Sequence, residues 1–307
     1  MVRHPPNILA WQGWTLTLPP RWNPVKIEGD YEGGGVLLAD LLGPRLGVRW
    51  QKPGRRFEAQ AWAMSSMKQE VGALAAQEAR LLPLRDDLAA SHLYIDPEPP
   101  GRDVWVAQST VSGRALQLVY RSRRREHALS GVILPTLMDN PPDQPVPWSI
   151  FGLSCITPAG LRLVRHQLNA GDLMLSFAGS GHELTLRQVA LARQALARMP
   201  MEKWIGQLTW PRRLHYRSAV DGEAVELPIG RRRVKGLVVI SARRRRFFWA
   251  WRVPQAMFTY GLDDPARDRL VFAQSDDADL AQAVIRTVGW SGEDPEGTNA
   301  ATAPPKD

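Results

Sequence analysis

Six histidines and a single cysteine are the side chains that could give this chain nucleophilic, acid–base or metal chemistry. The histidines form neither an HExxH motif nor a close pair, so their spacing argues against a zinc site. His166 and His182 lie near predicted strands, close in sequence to Asp172 and Glu183, where either could act as a general base. A lone histidine on such a strand is more often an ordinary surface residue. An enzyme that uses His166 or His182 is therefore the hypothesis ranked last.

Acidic and glycine-rich segments are the next candidates for metal or phosphate chemistry. Asp276, Asp277 and Asp279 resemble a DxD ligand set, but acids directly before a predicted helix are explained by capping of its free N–H groups. Gly33–Gly35 lies between two predicted strands, which fits neither the P-loop nor the dinucleotide-binding pattern, and we expect a hairpin turn there. Cys155 lies in an apolar strand, where a thiol behaves as a small hydrophobic residue. We predict no catalytic residues, no metal and no cofactor.

Positive charge is concentrated in one stretch of the chain. Arg212–Arg252 holds twelve basic and three acidic residues, a net charge of +9, against +8 for all 307 residues. Two β-rich runs, Leu237–Ala242 and Phe247–Val253, predict a hairpin whose four-residue loop is Arg243–Arg246. Trp210 precedes Pro211 and two arginines in a predicted loop, as an exposed anchor would. The candidate partner- or anion-binding residues are Trp210, Arg212, Arg213, Arg231, Arg232, Arg233, Lys235, Arg243, Arg244, Arg245 and Arg246.

These cations allow two interpretations. They could contact nucleic-acid phosphates without base specificity, with an affinity that falls steeply as salt rises. Alternatively they form a solvated loop that protects the protein from aggregation. Arg231–Arg233 and Lys235 enter the predicted strand at the end opposite Arg243–Arg246, so the two clusters need not form one patch.

An internal repeat organises the chain. Gly13–Asp40 and Gly152–Phe177 share alternating apolar positions, a proline (Pro20, Pro158) and a glycine (Gly35, Gly171) in the same order. A predicted strand and then a predicted helix follow in each copy. The matched strands are 45–50 and 183–188, and the matched helices are 57–79 and 189–199. Further matches pair 104–108 with 248–252, 116–120 with 269–273 and 129–137 with 280–288.

The order of elements predicts the fold class α+β, as two tandem repeats, each an antiparallel sheet flanked by helices. The expected domains are residues 1–140 and 149–290, joined by a proline-rich linker at 141–148. Residues 291–307 are acidic and lack large apolar side chains, so we expect a disordered tail.

In its element order, with the matched prolines and glycines and a closing apolar helix, each half resembles the α/β/α sandwich of the PsbP and Mog-like family. That family includes a photosystem subunit, Ran-binding proteins of nuclear transport and chaperones of type VI secretion effectors. The resemblance covers most of both halves and has no diagnostic motif. It implies a non-enzymatic module that docks onto a larger partner.

Composition sets the broad class. With 44% hydrophobic and 23% charged residues, the chain has the composition of a globular protein, and one cysteine excludes an intrachain disulfide. Apolar stretches are too short to span a bilayer, and no signal peptide is recognisable, so we expect a cytoplasmic protein without membrane contact.

The loop Asp96–Asp103 is acidic where the second copy is basic, which suits head-to-tail docking. We therefore predict an adaptor or assembly module that binds another protein or itself, with nonspecific nucleic-acid binding as the alternative.

Overall fold

The structure is a computed structural model. It describes residues 7–54, 57–63, 79–80, 86–94, 102–121, 129–208, 216–218, 222–229, 232–243 and 256–290. The chain divides into two compact units: unit 1 is Met1–Pro141 with Val146–Gly152, and unit 2 is Pro142–Pro145 with Leu153–Asp307. The predicted acidic tail at 291–307 and most of the acidic loop Asp96–Asp103 lie outside the described residues.

The predicted α+β class is wrong, because antiparallel strands form most of the described chain and the helices are short. The helix predicted at 189–199 begins at Ala192, since Val189 and Ala190 continue a strand. In unit 1 the predicted closing helix is a π-helical turn, Leu129–Ile133, followed by a single turn of α-helix that contains Pro135. Apolar residues at alternate positions along the strands form the buried faces of these sheets. The short helices cover only small parts of the sheets.

The strands of unit 1 are β1 (Asn7–Trp11), β2 (Trp14–Leu18), β3 (Asn23–Gly29), β4 (Gly33–Asp40), β5 (Gly43–Gln51), β6 (Ala79–Arg80), β7 (Leu88–Tyr94), β8 (Arg102–Ser109), β9 (Ala115–Arg121), β10 (Met138–Asp139) and β11 (Val146–Ile150). Its larger sheet has the strand order β3-β4-β5-β9-β8-β7-β6, and the remaining strands pair in the order β10-β2-β1-β11. Residues 59–63 form helix α1, and Leu134–Thr136 is α2.

The two faces of the larger unit 1 sheet are covered differently. One face buries a layer that includes Leu38, Leu46 and Leu118. On the other face α1 packs against β8 and β9, where Ala63 contacts the cluster of Val104, Val106 and Val119. The helix thus covers the β8–β9 side of this face.

Arg114 ties the turns of unit 1 together from inside the protein. Its guanidinium donates hydrogen bonds to the carbonyls of Gln12 (2.7 Å) and Tyr31 (3.0 Å) and pairs with the Asp139 carboxylate at 2.5 Å. Arg114 and Asp139 are each 1% exposed. A Cβ on Gly13 would lie 2.8 Å from this guanidinium, so the β1–β2 turn needs glycine both for space and for its φ of +86°.

The strands of unit 2 are β12 (Leu153–Thr157), β13 (Arg162–Asn169), β14 (Asp172–Gly179), β15 (His182–Ala190), β16 (Tyr216–Ser218), β17 (Glu223–Ile229), β18 (Arg232–Arg243), β19 (Ala256–Asp264), β20 (Arg269–Ser275) and β21 (Gly289–Trp290). Its larger sheet has the strand order β13-β14-β15-β20-β19-β18-β16, in which β17 also pairs with β18. Strand β12 pairs with β21. Its helices are α3 (Ala192–Arg198), α4 (Met201–Leu208) and α5 (Ala278–Arg286). The first two helices bury Ala192 and Ile205 against Val239, Leu270 and Phe272.

The two sheets share one topology. In each sheet, three consecutive strands form a meander, β3–β5 in unit 1 and β13–β15 in unit 2. The third strand of the meander then pairs with the strand of that sheet that comes last in the chain, β5 with β9 and β15 with β20. Both edge strands carry a bulge at an exposed valine, Val25 in β3 and Val164 in β13. The register also revises the sequence alignment, because residues 104–108 correspond to 259–263 instead of 248–252. Residues 248–252 lie outside the described chain.

Candidate functional site

The tip of the β4–β5 hairpin presents two adjacent leucines to solvent. Asp40 pairs with Gly43, which leaves Leu41 and Leu42 as the two-residue loop. Leu41 is 90% exposed and Leu42 is 70% exposed. Turn positions are usually occupied by Gly, Asn, Asp, Ser or Pro, because these residues fit the backbone or bind it with their side chains. Two leucines at such a tip expose apolar surface to solvent.

The tip is held in place by a chain of contacts that ends in the core. The Asp40 carboxylate accepts a hydrogen bond from the Leu42 N–H at 2.7 Å, and its other oxygen lies 3.4 Å from Nε of Arg45. Arg45 is the extra residue of a β-bulge, and its guanidinium lies 5.5 Å from the Trp22 ring centroid. Trp22 in turn stacks on buried Tyr120. The leucines are therefore presented on a braced turn.

Unit 2 has no such pair at the same place in its sheet. The β14–β15 turn, closed by the pairing of Gly179 with His182, has Ser180 and Gly181 as its loop. Its backbone shows the positive φ angles of +52° and +82° that Ser180 and Gly181 adopt. The exposed leucine pair is thus a property of unit 1 and offers an internal comparison.

This turn was not predicted from the sequence, although the residues that flank it carry a signal. An aspartate followed three residues later by glycine is typical of a turn, and Asp40 and Gly43 have this spacing. The apolar residues between them, Leu41 and Leu42, continue the run Val36–Ala39 and look like part of one strand. Only the flanking residues Asp40 and Gly43, which favour a turn, indicate that Leu41 and Leu42 are not part of that strand.

The structure brings together few of the cations predicted as a site. Arg233 and Lys235 are exposed on β18, opposite Pro228 and Glu226 of β17. Arg232 and Arg243 are the first and last residues of β18. The remaining predicted residues lie outside the described chain: Trp210, Arg212, Arg213, Arg231, Arg244, Arg245 and Arg246.

The strand predicted before the four arginines does not pair with the segment that the sequence predicts as its partner. Leu237–Ala242 is a strand, as expected, but it pairs with Ala256–Gly261 of β19 on one side, and β18 pairs with β16 and β17 on the other. Residues 247–253, predicted as the second strand, lie outside the described chain.

The acids near His182 have structural roles. Asp277 caps α5 by accepting hydrogen bonds from the N–H groups of Asp279 (2.9 Å) and Leu280 (3.2 Å). Asp276 accepts from the Glu183 N–H at 3.1 Å, and its carboxylate lies 3.4 Å from Nδ1 of His182. These contacts close the start of α5 onto β15, as the sequence predicts for acids before a helix.

His166 and Cys155 lie in environments that disfavour their charged forms. Partial burial on β13 lowers the pKa of His166, and burial raises the pKa of the Cys155 thiol to about 12. A thiol at that pKa is neutral at physiological pH and is a poor nucleophile. Among the described residues, His, Cys, Asp and Glu side chains form no group of three or more that could hold a metal ion.

Comparison with known proteins found no family model and no curated protein that matches this chain. The resemblance to PsbP and Mog-like proteins therefore stays a hypothesis. Among the described helices, none has the length and apolar character needed to cross a bilayer.

Proposed function

We propose that this protein is a non-enzymatic binding module of the cytoplasm, and that it docks onto another protein by inserting Leu41 and Leu42 into an apolar pocket of that partner. The observation that carries this proposal is the exposure of two adjacent leucines, 90% and 70%, on one turn. Isolated exposed apolar residues are common on protein surfaces, but two adjacent leucines on a braced hairpin form a contiguous apolar patch, and exposed apolar patches mark interaction sites.

The energetics favour an anchor within a larger interface. Full burial contributes about 1.5–3 kcal/mol for each leucine side chain. Association of two proteins costs about 4–15 kcal/mol in lost freedom, so the two leucines need further contacts around them. Because Asp40 and Arg45 already hold the turn, little conformational freedom of the loop is lost on binding.

Site-specific photo-crosslinking in cells of the source organism tests the proposal. A photoreactive phenylalanine analogue is placed at Leu41 and, as the matched control, at Ser180 in the corresponding turn of unit 2. We expect discrete adducts from position 41 that are absent from position 180, with the partner identified by mass spectrometry. An adduct of the chain with itself makes the partner a second copy.

Two results contradict the proposal. One is the absence of any adduct at position 41 when the protein is expressed at its natural level. The other is the same set of adducts from positions 41 and 180, because this would mean that the crosslinks report general crowding and not a specific pocket.

Nonspecific nucleic-acid binding remains the competing function. It is favoured by the exposure of both Arg233 and Lys235 on one strand. Lys235 lies opposite Glu226 of the neighbouring strand β17, and the negative charge of Glu226 offsets part of the positive charge of this surface. A mobility shift with single- and double-stranded nucleic acid at low salt, abolished in the variant Arg233→Glu/Lys235→Glu, would favour this function. No shift at low salt would remove it.

A further inference from the structure

A groove of about 190 Å³ lies on the face of the larger unit 1 sheet that carries α1, and residues of β3, β4, β5 and β9 line it. Across its floor Leu37 pairs with Gly47, and Gly47 pairs with Val119. A Cβ on Gly47 would lie 3.7 Å from the Cβ of Val119, so the backbone does not require glycine at this position. The space between Leu37 and Val119 is open because Gly47 has no side chain.

The charged side chains at the rim of the groove already have contacts within the chain. Lys26 lies 2.6 Å from the Glu28 carboxylate, and a hydrogen bond from Lys26, together with the nearby charge of Arg49, lowers the pKa of Glu28. Arg49 and Arg121 also interact with other residues of the chain. An ionic ligand would compete with these contacts, whereas an apolar side chain fills the space above Gly47 beside them. The chemistry of the groove therefore favours an apolar occupant.

The equivalent row of residues in unit 2 is polar. By the strand register, the residues that correspond to Leu37, Gly47 and Val119 are Ser176, Thr185 and Gln274. The hydroxyls of Ser176 and Thr185 lie 3.3 Å apart, and Gln274 donates a hydrogen bond to the Thr259 hydroxyl at 2.9 Å. The apolar groove and the leucine tip therefore occur together in unit 1, and polar residues stand at both places in unit 2.

The groove has the size of the side chain that the tip presents. An apolar cavity of about 150 Å³ holds a benzene molecule, which is larger than a leucine side chain. A groove of about 190 Å³ thus has room for the side chain of Leu41 or Leu42.

The charges around the tip and the groove are complementary. At the tip the Asp40 side chain is 20% exposed and its partner Arg45 is 6% exposed, so the more accessible charge is negative. The described residues that line the groove include three cations and one acid, namely Lys26, Arg49, Arg121 and Glu28. The net charge of the rim is positive although its cations have partners. Opposite potentials of this kind steer two surfaces together.

We propose that the groove receives the leucine tip of a second copy of this chain, so that the protein associates head to tail. This inference rests on the proposed function, because it names the pocket that the tip enters. The tip does not reach the groove of its own chain, because β4 and β5 stay paired along their length and hold Leu41 away from Gly47. Each copy offers one tip and one groove, and a heterologous contact of this kind builds rings or open chains.

Sedimentation velocity of the purified full-length protein over a range of concentrations tests the inference. We expect reversible, concentration-dependent oligomers of the natural sequence. Leu41→Ser/Leu42→Ser should weaken the self-association by about 100-fold or more, because it removes both anchor side chains. Gly47→Thr and Leu37→Ser introduce the residues of unit 2 into the groove, and each should weaken the self-association by about tenfold or more.

A mixture of two defective variants gives the sharpest test. Leu41→Ser/Leu42→Ser keeps its groove and Gly47→Thr keeps its tip, so each variant has one working surface. We expect neither to self-associate, and an equimolar mixture to form a one-to-one complex that does not grow further. Circular dichroism shows whether each variant folds, and Leu37→Ser takes the place of Gly47→Thr in the mixture if Gly47→Thr misfolds.

Two matched controls should self-associate like the natural sequence. Gly54→Thr makes the groove substitution at a glycine that has open space around it and does not line the groove. Val164→Ser removes an apolar side chain that is 65% exposed in unit 2.

The inference is overturned if the natural sequence stays monomeric at up to about 1 mM, if the mixed variants do not combine, or if either control weakens the association as much as Gly47→Thr. Self-association that survives Gly47→Thr and Leu37→Ser but not Leu41→Ser/Leu42→Ser also overturns it, because the tip would then bind another surface of the second copy.

Failure of this inference is distinguishable from failure of the proposed function. A monomeric protein that gives adducts with another protein at position 41 loses self-docking and keeps the docking function. The absence of every adduct at position 41 removes the docking function itself.

Discussion

At the scale of single residues, a buried ion pair between Arg114 and Asp139 holds the turns of unit 1 together. Arg114 is 1% exposed and has Asp139 as its ion-pair partner, with the Tyr31 ring centroid 3.8 Å from its guanidinium carbon. Neither residue is predicted from the sequence to be important, because an arginine after a glycine in a turn looks solvent-exposed. Burial of that arginine follows from the β1–β2 and β3–β4 turns, which are distant in sequence and supply carbonyl acceptors.

We expect Asp139→Asn to destabilise unit 1 by about 3–5 kcal/mol, because it leaves the Arg114 charge buried without its counter-ion. Glu32→Gln is the control, since it breaks the exposed pair with Lys52 at 3.3 Å and should cost no more than about 1 kcal/mol. Urea unfolding followed by tryptophan fluorescence measures both. Equal urea midpoints for the two variants would contradict this, because the buried Arg114–Asp139 pair would then stabilise unit 1 no more than the exposed Glu32–Lys52 pair.

The single cysteine gives a second residue-scale prediction. Cys155 is buried and its pKa is raised to about 12, so we expect the folded protein to resist a thiol reagent at pH 8 and to react with one equivalent in denaturant. Cys155→Ala/Ile156→Cys moves the thiol to the neighbouring exposed position and should react at once. Rapid labelling of the folded natural sequence would contradict the burial of Cys155.

At the scale of elements, turn chemistry was harder to predict than strand content. Gly33–Gly35 was expected to be a hairpin turn, yet these residues open β4. The turn lies earlier, where the Asp30 carboxylate accepts hydrogen bonds from Glu32 (2.9 Å) and Gly33 (3.2 Å). Similarly, Leu237–Ala242 was correctly predicted as a strand and given the wrong partner. Alternation along a segment indicates a strand, but pairing depends on residues far away in sequence.

Glycines inside strands give a prediction at the same scale. A Cβ on Gly236 of β18 would lie 2.4 Å from the Gly261 carbonyl of β19, so Gly236→Ala must push the two strands apart. We expect it to destabilise the protein by about 1–3 kcal/mol. Gly33→Ala is the matched strand control, because its Cβ would have room, and it should be neutral or slightly stabilising. Equal thermal unfolding midpoints for the two variants would contradict this.

At the scale of the whole molecule, one strand order occurs twice and the two copies differ in surface chemistry. The sequence contained the repeat as matched prolines, glycines and alternating runs, but the helices were given too much weight and the fold class was wrong. The feature that sets unit 1 apart is the leucine tip, where unit 2 has Ser180 and Gly181. It was not predicted, because it depends on which residues face solvent once β4 and β5 are paired.

Affinity for the crosslinked partner, measured with purified proteins, tests the central claim most directly. Leu41→Ser/Leu42→Ser should weaken binding by about 100-fold or more, as expected when two anchor side chains are lost. Arg233→Gln/Lys235→Gln should leave the affinity within a factor of about two at physiological salt, since exposed charges contribute little there. The opposite pattern, with binding lost in the charge variant and retained in the leucine variant, would contradict the account.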